Sequence, residues 1–401
     1  MDLRSGHPFW LLRNGIMQSY SPLEANSKCE VVIVGGGITG ALVGYHLAEA
    51  GVATILLDRR DIGWGSTSAS TALLQYEIDT PLHELQARLG QDHAVRSYLA
   101  CRNAIYKLRD LIAKLDDACG FKMKPSLYYT GRKSDVAKMR KEYDARKAAG
   151  IHVDWWTERD VKREMPFEKP CAIYSHDGAQ VDAYRLTHTL LRHAARMGLR
   201  VHDRTGLVSY EVKGTNVRIK TERGTSIQAK HIIFATGYEA QGDLDQKVVS
   251  LHSSFALVSE PLPGRWPAWH QDCLIWEHAD PYLYLRSTED HRIIIGGEDE
   301  DFQDPNKRDA MIPDKSLTLQ RKFKRLFPDI PFEVAFAWAG TFGETEDGLP
   351  YIGQTPEFPR ACFTLGFGGN GIIYSMIAAE IVRDKVLNKK NDEAELFKFG
   401  R

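Results

Sequence analysis

The chain of 401 residues is long enough for about two to three domains with a large buried core. Its 52 lysines and arginines nearly balance its 53 aspartates and glutamates, so no global positive charge draws it to nucleic acid or to an acidic membrane. The six cysteines lie far apart without a C-x-x-C pair, which indicates neither a zinc knuckle nor a dense disulfide framework and favours a cytoplasmic protein with reduced thiols. The early apolar stretch at residues 9–12 is too short for a signal peptide, and no run predicts a membrane span.

The first predicted elements form a β-α-β unit that opens an α/β domain. Residues 29–34 are apolar, rich in β-branched side chains and followed by glycines, which predicts a buried parallel strand. Residues 38–50 have helical spacing, and residues 53–58 return to a strand pattern.

The middle of the chain has a different composition. Charged helical stretches are predicted over residues 94–115 and 134–149, with a possible strand at residues 126–130, and we interpret this region as an insertion into the α/β core. A strongly amphipathic helix is predicted at residues 184–197. Short strands after it predict a small antiparallel meander, at residues 200–202, 208–212, 217–221 and 226–229.

The last part of the chain is predicted to be mostly strands. A polar stretch at residues 299–314 precedes a charged helix at residues 316–327, and a glycine turn within residues 366–387 enters a C-terminal helix. The predicted strands lie at residues 231–235, 255–259, 282–286 and 292–296.

A glycine-rich turn joins the first predicted strand to the first predicted helix. The turn reads Gly35-Gly36-Gly37-Ile38-Thr39-Gly40, a G-x-G-x-x-G pattern whose glycines let the backbone approach a pyrophosphate at the positive end of a helix. Asp58 ends the next strand, where a carboxylate can accept hydrogen bonds from a ribose. The pattern predicts a dinucleotide site, against the alternative that the glycines serve only a tight turn, and it does not separate FAD from NAD.

Three later segments carry a family resemblance. Residues 63–75, which begin Gly63-Trp64-Gly65-Ser66-Thr67-Ser68, resemble the segment with which flavin amine and amino-acid oxidases cross the FAD pyrophosphate, although alone they would read as a linker. Residues 232–237 resemble the alanine-threonine-glycine strand end of FAD oxidoreductases. Residues 338–353 are similar to the C-terminal motif of the D-amino acid oxidase (DAO) family. The resemblance covers about residues 8–387 and is strongest to the γ-glutamylputrescine oxidoreductase branch, with glycine and sarcosine oxidases more distant.

The resemblance implies a two-domain fold with non-covalent FAD as cofactor. A Rossmann-like FAD-binding domain of the glutathione reductase type is expected from residues 28–80, 170–245 and 335–401, and an antiparallel-sheet substrate domain with helices from residues 81–169 and 246–334. No metal is expected. The implied cofactor residues are Gly35, Gly37, Ile38, Thr39, Gly40, Asp58, Arg59, Gly65, Ser66, Thr67, Ala72, Leu73, Leu74, Leu207, Thr236, Gly237, Gly340, Gly368, Gly369, Asn370, Gly371 and Ile372.

Departures from the family define the expected substrate. Glycine-oxidase-like members grip an amino-acid carboxylate with an arginine two residues beyond the tryptophan-alanine-glycine triplet, where this chain has Phe342. Sarcosine-oxidase-like members keep an oxygen-activating lysine on a strand matching residues 292–296, where this chain has none. Tyr284 and Arg286 alternate on one predicted strand and are the other candidate substrate residues, with sheet packing and surface charge as the alternative reading.

The expected reaction is the oxidation of a C–N bond in a small amine, with hydride transfer to the flavin and with a γ-glutamylated or alkyl polyamine as a candidate substrate. Three alternatives stay open: a dehydrogenase of the same fold that passes electrons to a quinone or carrier, a nicotinamide enzyme, and a flavin-binding protein without turnover. The sequence does not determine the oligomeric state.

Overall fold

The computed structural model describes residues 2–239, 248–264 and 266–401. The strands of this part of the chain are β1 (Arg4–Gly6), β2 (Ser27–Lys28), β3 (Val31–Val34), β4 (Thr54–Leu57), β5 (Leu73–Leu74), β6 (Lys122–Thr130), β7 (Val153–Thr157), β8 (Cys171–Gln180), β9 (Arg200–His202), β10 (Leu207–Lys213), β11 (Asn216–Thr221), β12 (Ser226–Ala229), β13 (His231–Phe234), β14 (Ser250–Ser259), β15 (Leu274–His278), β16 (Leu283–Ser287), β17 (Ile293–Glu300), β18 (Val334–Glu344), β19 (Tyr351–Gly353) and β20 (Ala361–Leu365). The α-helices are α1 (Phe9–Asn14), α2 (Ile38–Glu49), α3 (Ser66–Ala69), α4 (Leu82–Leu89), α5 (Gln91–Ile112), α6 (Val136–Ala148), α7 (Glu158–Glu164), α8 (Ala183–Arg196), α9 (Pro305–Leu326) and α10 (Gly371–Val386).

A six-stranded sheet forms the α/β core, in the order β19-β20-β13-β3-β4-β9. All neighbours in it are parallel except β19, which pairs antiparallel with β20. Strand β3 is fully buried in the middle, and α2 packs against both α8 and α10. A β-branched strand buried on both faces requires such helical cover. The predicted β-α-β unit and the α/β class are confirmed.

A ten-stranded sheet forms the second layer, with β1-β18-β14-β17-β16-β15-β6-β8-β5 as its path and β7 paired to β8. Its pairs are antiparallel except the parallel pair of β15 and β6. Helix α9 packs on one side of it, over a core that includes Leu319, Phe323 and Phe327. The antiparallel substrate sheet of the predicted fold class is therefore present.

The predicted domain boundaries stay a prediction. Strands β8 and β18 both pair within the ten-stranded sheet, although their residues fall in ranges that we expected to belong to the FAD domain. The predicted boundary between residues 245 and 246 lies outside the described residues.

Two local predictions are wrong. Strand β9 was expected in the meander but pairs parallel with β4, and the meander consists of β10, β11 and β12, with β2 added in parallel. A three-residue strand carries too little pattern to reveal its partner. The helix that we predicted at residues 316–327 instead begins at Pro305, inside the polar stretch at residues 299–314. Proline suits the first turn of a helix, and Asp304 caps this one by accepting hydrogen bonds from the N–H groups of Asn306 and Lys307 at 2.8 and 3.1 Å.

Several elements of the described chain were not predicted at all, including the long strands β8 and β18. No helix among the described residues combines the length and the apolar composition that crossing a bilayer requires.

Candidate active site

A cavity of about 900 Å³ lies against both large sheets. Its lining includes Gly35, Asp58 and Thr236, which follow the carboxyl ends of β3, β4 and β13. In open α/β sheets this edge is the usual ligand site, because loops and helix N-termini converge there. The ten-stranded sheet contributes Tyr284 and Phe342 to the same cavity.

Most of the predicted site residues line this cavity. They are Gly35, Gly37, Ile38, Thr39, Asp58, Arg59, Gly65, Ser66, Thr67, Ala72, Leu73, Leu207, Thr236, Gly237, Tyr284, Gly340, Phe342, Gly368, Gly369, Asn370, Gly371 and Ile372. Gly40, Leu74 and Arg286 are absent from the lining.

The glycine turn is shaped by backbone contacts that exclude side chains. Gly35 has φ +110°, and a Cβ placed on it would lie 2.3 Å from the carbonyl oxygen of Ala235. A Cβ on Gly40 would lie 1.9 Å from the carbonyl oxygen of Gly35. The role of Gly40 is therefore to let α2 pack against the turn, which brings the positive end of that helix to the cavity.

Asp58 is held at the end of β4 by two backbone donors. Its Oδ2 accepts from the N–H of Gly36 at 2.6 Å, and its Oδ1 accepts from the N–H of Arg60 at 2.7 Å. Burial raises the pKa of Asp58 to about 6. The carboxylate therefore has a fixed orientation at the cavity wall.

The other end of the cavity is aromatic. Tyr128 and Trp276 stack with ring centroids 3.7 Å apart, and Tyr282 lies 5.6 Å from Tyr284. These four side chains and Phe342 all line the cavity. Such a wall excludes water and offers ring faces to a cation.

Carboxylates accompany the aromatic wall. Asp79 faces the cavity and accepts from the N–H of Gly369 at 3.1 Å, and desolvation raises its pKa. Burial raises the pKa of Asp299 to about 6. Burial, together with repulsion from Asp79, Asp299 and other acids, raises the pKa of Glu344 to about 7. We call Asp79, Asp280, Asp299, Asp301 and Glu344, all cavity residues, the acidic cluster.

Lysine and arginine are few around the cavity and are paired. Among its described lining residues they are Arg59, Arg60 and Lys138. Both arginines form ion pairs with Glu239, and Lys138 lies 2.7 Å from Glu84. No lysine or arginine of the described lining forms an ion pair with the acidic cluster. His252, which also lines the cavity, lies 2.9 Å from Asp301, and its ring centroid lies 5.4 Å from that of Phe342.

Arg286 does not take the substrate position that we predicted. It is 1% exposed, and its guanidinium donates to the carbonyl oxygens of Thr71 at 2.7 Å and Val181 at 3.0 Å. Tyr284 and Arg286 share one face of β16, as their alternation required, but the segment containing Thr71 covers Arg286. A substrate contact for Arg286 is therefore not supported by the structure.

A family model for DAO, FAD dependent oxidoreductase, matches residues 30–385. The chain belongs to the DAO family. The glycine oxidase of Bacillus subtilis is 24% identical over 92% of this chain and 96% of its own length, and the gamma-glutamylputrescine oxidoreductase of Escherichia coli is 20% identical over 91% of this chain and 85% of its own length. A crystal structure of L-proline dehydrogenase from P. horikoshii has a TM-score of 0.78 at 18% identity, covering 93% of this chain and 97% of its own. The branch within the DAO family stays a prediction, since these identities do not favour the gamma-glutamylputrescine enzyme.

This DAO family protein is an FAD-dependent oxidoreductase, and its cavity residues fit that cofactor. Ser66 and Thr236 line the cavity, and their buried hydroxyl oxygens have no hydrogen-bond partner among the described residues, a state that suits ligand oxygens. The N-termini of α2 and α10 both reach the cavity through Gly37 and Gly371, and helix N-termini favour negative groups. We propose that the predicted residues in the lining hold FAD.

The first testable prediction concerns Asp58. Asp58→Ala is expected to weaken FAD binding by about 1 to 3 kcal/mol, because a charge-assisted hydrogen bond is lost. Titration of the apoprotein with FAD measures this. Asp61→Ala is the matched control, because Asp61 is not in the cavity lining. An FAD affinity equal to that of the control would contradict a ribose contact for Asp58.

The sequence interpretation missed the acidic cluster. One signal was present, because Phe342 and Glu344 alternate on a strand and therefore share a face of the sheet. Asp299 and Asp301 also alternate at the end of β17, whereas Asp79 and Asp280 lie in two separate loops, and no spacing connects these groups with one another.

Outside the cavity, the exposed side chains of His152, Asp154 and His176 lie close enough together to share a metal ion, although we expected no metal.

Proposed function

We propose that this FAD-dependent oxidoreductase oxidises the C–N bond of an alkyl di- or polyamine whose reacting carbon bears no carboxylate. The family supports the coarser activity, oxidation of an amine or an amino acid. One observation carries the finer proposal: the acidic cluster lies beside Tyr282 and Tyr284 in the cavity, and the arginine expected for an amino-acid carboxylate is replaced by Phe342. Burying a substrate carboxylate there without a cation would cost several kcal/mol, about the cost of a buried unpaired charge.

The acidic cluster has the charge needed to bind ammonium groups. A diamine presents two such groups, so one can lie among the carboxylates while the other approaches the reacting position. The aromatic side chains Tyr128, Trp276 and Tyr284 exclude water. Tyr128 already stacks on Trp276 and has the Arg146 guanidinium 5.5 Å from its ring centroid, so Trp276 and Tyr284 are the rings that would attract a substrate cation. Arg286 lies outside the cavity lining and donates to the carbonyl oxygens of Thr71 and Val181, so it offers no partner to a γ-glutamyl carboxylate. This favours an unmodified polyamine over a γ-glutamylated one.

FAD, when bound, supplies the hydride acceptor for amine oxidation. The amine must first lose its ammonium proton, since the nitrogen lone pair drives the release of a hydride from the adjacent carbon. Glu344 is suited to accept that proton because its pKa is raised to about 7, close to neutral pH. The product is a protonated imine, which water hydrolyses to an aldehyde and an ammonium ion, or to an aldehyde and a protonated amine when the reacting nitrogen is secondary. Holding the substrate carbon in place is the main task of the protein.

The raised pKa values predict a pH dependence. Glu344 and Asp299 lose their negative charge as the pH falls through about 7 and about 6, so cation binding should weaken in this range. We expect the half-saturating putrescine concentration for anaerobic flavin reduction to rise at least about tenfold from about pH 8 to about pH 5.5. The Glu344→Gln variant should bind putrescine more weakly than the unmodified protein at the higher pH, and its half-saturating putrescine concentration should change less between the two pH values. Equal pH dependence in both proteins would exclude Glu344 as the titrating group.

The proposal itself is tested by a substrate panel. Anaerobic flavin reduction is compared for putrescine, γ-glutamylputrescine, glycine, sarcosine and D-alanine. Putrescine is expected to reduce the flavin fastest, at least about tenfold faster than any α-amino acid, a difference of about 1.4 kcal/mol in the barrier. If an α-amino acid reacts fastest, the proposal is wrong. Reoxidation of the reduced protein by oxygen or by a dye then separates an oxidase from a dehydrogenase.

A further inference from the structure

Three side-chain donors hold consecutive carbonyl groups of the segment that follows α3. The indole N–H of Trp338 donates to the carbonyl oxygen of Ala69 at 2.8 Å, and that of Trp10 donates to Ser70 at 2.7 Å. The guanidinium of Arg286 donates to Thr71 at 2.7 Å. We call Trp10, Arg286 and Trp338 the carbonyl clamp, and residues 69–72 the crossing segment.

The clamp side chains come from three separate elements and are all buried. Trp10 lies on α1, Arg286 on β16 and Trp338 on β18, and each is 1% exposed. The Arg286 guanidinium also lies 5.1 Å from the Trp10 ring centroid. Buried donors are costly to leave without acceptors, so a displacement of the crossing segment would break several hydrogen bonds at once. The clamp therefore resists movement of this backbone.

The crossing segment forms part of the cavity wall. Ala69, Ser70, Thr71 and Ala72 all line the cavity. Ala72 has a φ of +54°, and its N–H donates to the Ser70 hydroxyl at 3.1 Å. A non-glycine residue in the left-handed region needs surrounding structure to hold it, which the clamp supplies.

The N-terminal residues join this arrangement. Strand β1 pairs with β18 so that Arg4 lies opposite Gly340 and Gly6 opposite Trp338. The Arg4 guanidinium donates to the carbonyl oxygen of Trp64 at 2.9 Å, just before α3. Residues 4–14 thus contact the crossing segment and the turn before it, although they precede the dinucleotide-binding unit in the chain.

We propose that the carbonyl clamp positions the crossing segment against FAD and that residues 4–14 are a working part of the cofactor site. Trp10 and Arg286 are positioning residues, since neither lines the cavity. The clamp sets the affinity for FAD and the environment of the flavin through the backbone that it holds. This role is independent of the substrate proposed above.

Trp10→Phe is the decisive variant, because it removes the indole N–H and keeps an aromatic ring. Trp269→Phe is the matched control: Trp269 is 5% exposed, its indole donates to the carbonyl oxygen of Cys273 at 2.8 Å, and it is not in the cavity lining. The measurements are the dissociation constant of FAD from the apoprotein, the visible absorption spectrum and reduction potential of bound flavin, and the melting temperature.

We expect Trp10→Phe to raise the dissociation constant at least about tenfold and to shift the flavin spectrum or potential, while Trp269→Phe lowers only the melting temperature. Arg4→Met is measured in parallel, because Arg4 is only half-buried and its substitution disturbs folding less. Arg200→Met is its control, because Arg200 also donates to a backbone carbonyl oxygen, that of Lys28, at 2.6 Å. Arg4→Met should raise the dissociation constant at least about threefold and Arg200→Met should not. The proposal is overturned if neither Trp10→Phe nor Arg4→Met differs from its control in FAD affinity and flavin spectrum. If Trp10→Phe does not fold, the comparison of Arg4→Met with Arg200→Met is the test of the proposal.

Discussion

Gly40→Ala is expected to give a protein that no longer retains FAD. The added Cβ would lie 1.9 Å from the carbonyl oxygen of Gly35, and the obstacle is backbone, which cannot rotate away. Either α2 or the glycine turn must shift, and both border the proposed pyrophosphate site. A shift of this size removes several backbone contacts to the cofactor, so we expect the affinity for FAD to fall by at least about 100-fold, or about 2.7 kcal/mol.

The measurement is the flavin content of purified protein, followed by titration of the apoprotein with FAD. Gly44→Ala is the control on the same helix. Its Cβ would lie 3.0 Å from the Cδ2 of Leu199, the movable end of a side chain, and alanine favours a helix more than glycine does. If Gly40→Ala binds FAD as well as Gly44→Ala does, the close approach of α2 to the turn is not needed for the cofactor.

Phe342→Arg is expected to change the substrate preference. The new guanidinium would lie in the cavity near carboxylates and would repel an ammonium group while offering a partner to an amino-acid carboxylate. We expect the rate constant for flavin reduction by putrescine at low concentration to fall at least about 100-fold, a loss of about 2.7 kcal/mol. Reduction by glycine or sarcosine should rise above that of the unmodified protein.

Phe342→Leu controls for loss of the ring, since it keeps the position apolar and uncharged. It should retain the preference for putrescine with a moderate loss of rate. Flavin content is measured for both variants, so that a loss of cofactor is not mistaken for a loss of substrate binding. A Phe342→Arg protein that still prefers putrescine would show that position 342 does not determine the class of substrate.

The local features of the cofactor site could be predicted from the sequence. A β-branched strand, a glycine turn, a helix and a second strand that ends at Asp58 interact over about 30 residues, and their spacing follows from backbone geometry. Phe342 was also identified, because it stands next to a recognisable motif. These predictions needed no knowledge of distant contacts.

The sequence alone misassigned features whose partners lie far along the chain. Arg286 has the appearance of a substrate residue until its acceptors, Thr71 and Val181, are seen to bury it. Strand β9 has a strand pattern, but its pairing with β4 depends on how the sheet closes. The sequence of a single side chain or of a three-residue strand does not specify which distant group it will contact after folding.

The sequence by itself predicted a dinucleotide site at the glycine turn, because that prediction depends on short patterns of backbone freedom and apolar spacing. The family and FAD were implied by the resemblance of its motifs to those of the DAO family. Only the tertiary structure brought the acidic cluster together, from residues as distant in the chain as Asp79, Asp299 and Glu344. Desolvation raises the pKa of all three carboxyl groups, and repulsion from neighbouring acids adds to it for Asp299 and Glu344; both causes exist only after folding. The physical reason is that local conformation is encoded locally, whereas the electrostatic character of a cavity is a sum over elements that the fold assembles.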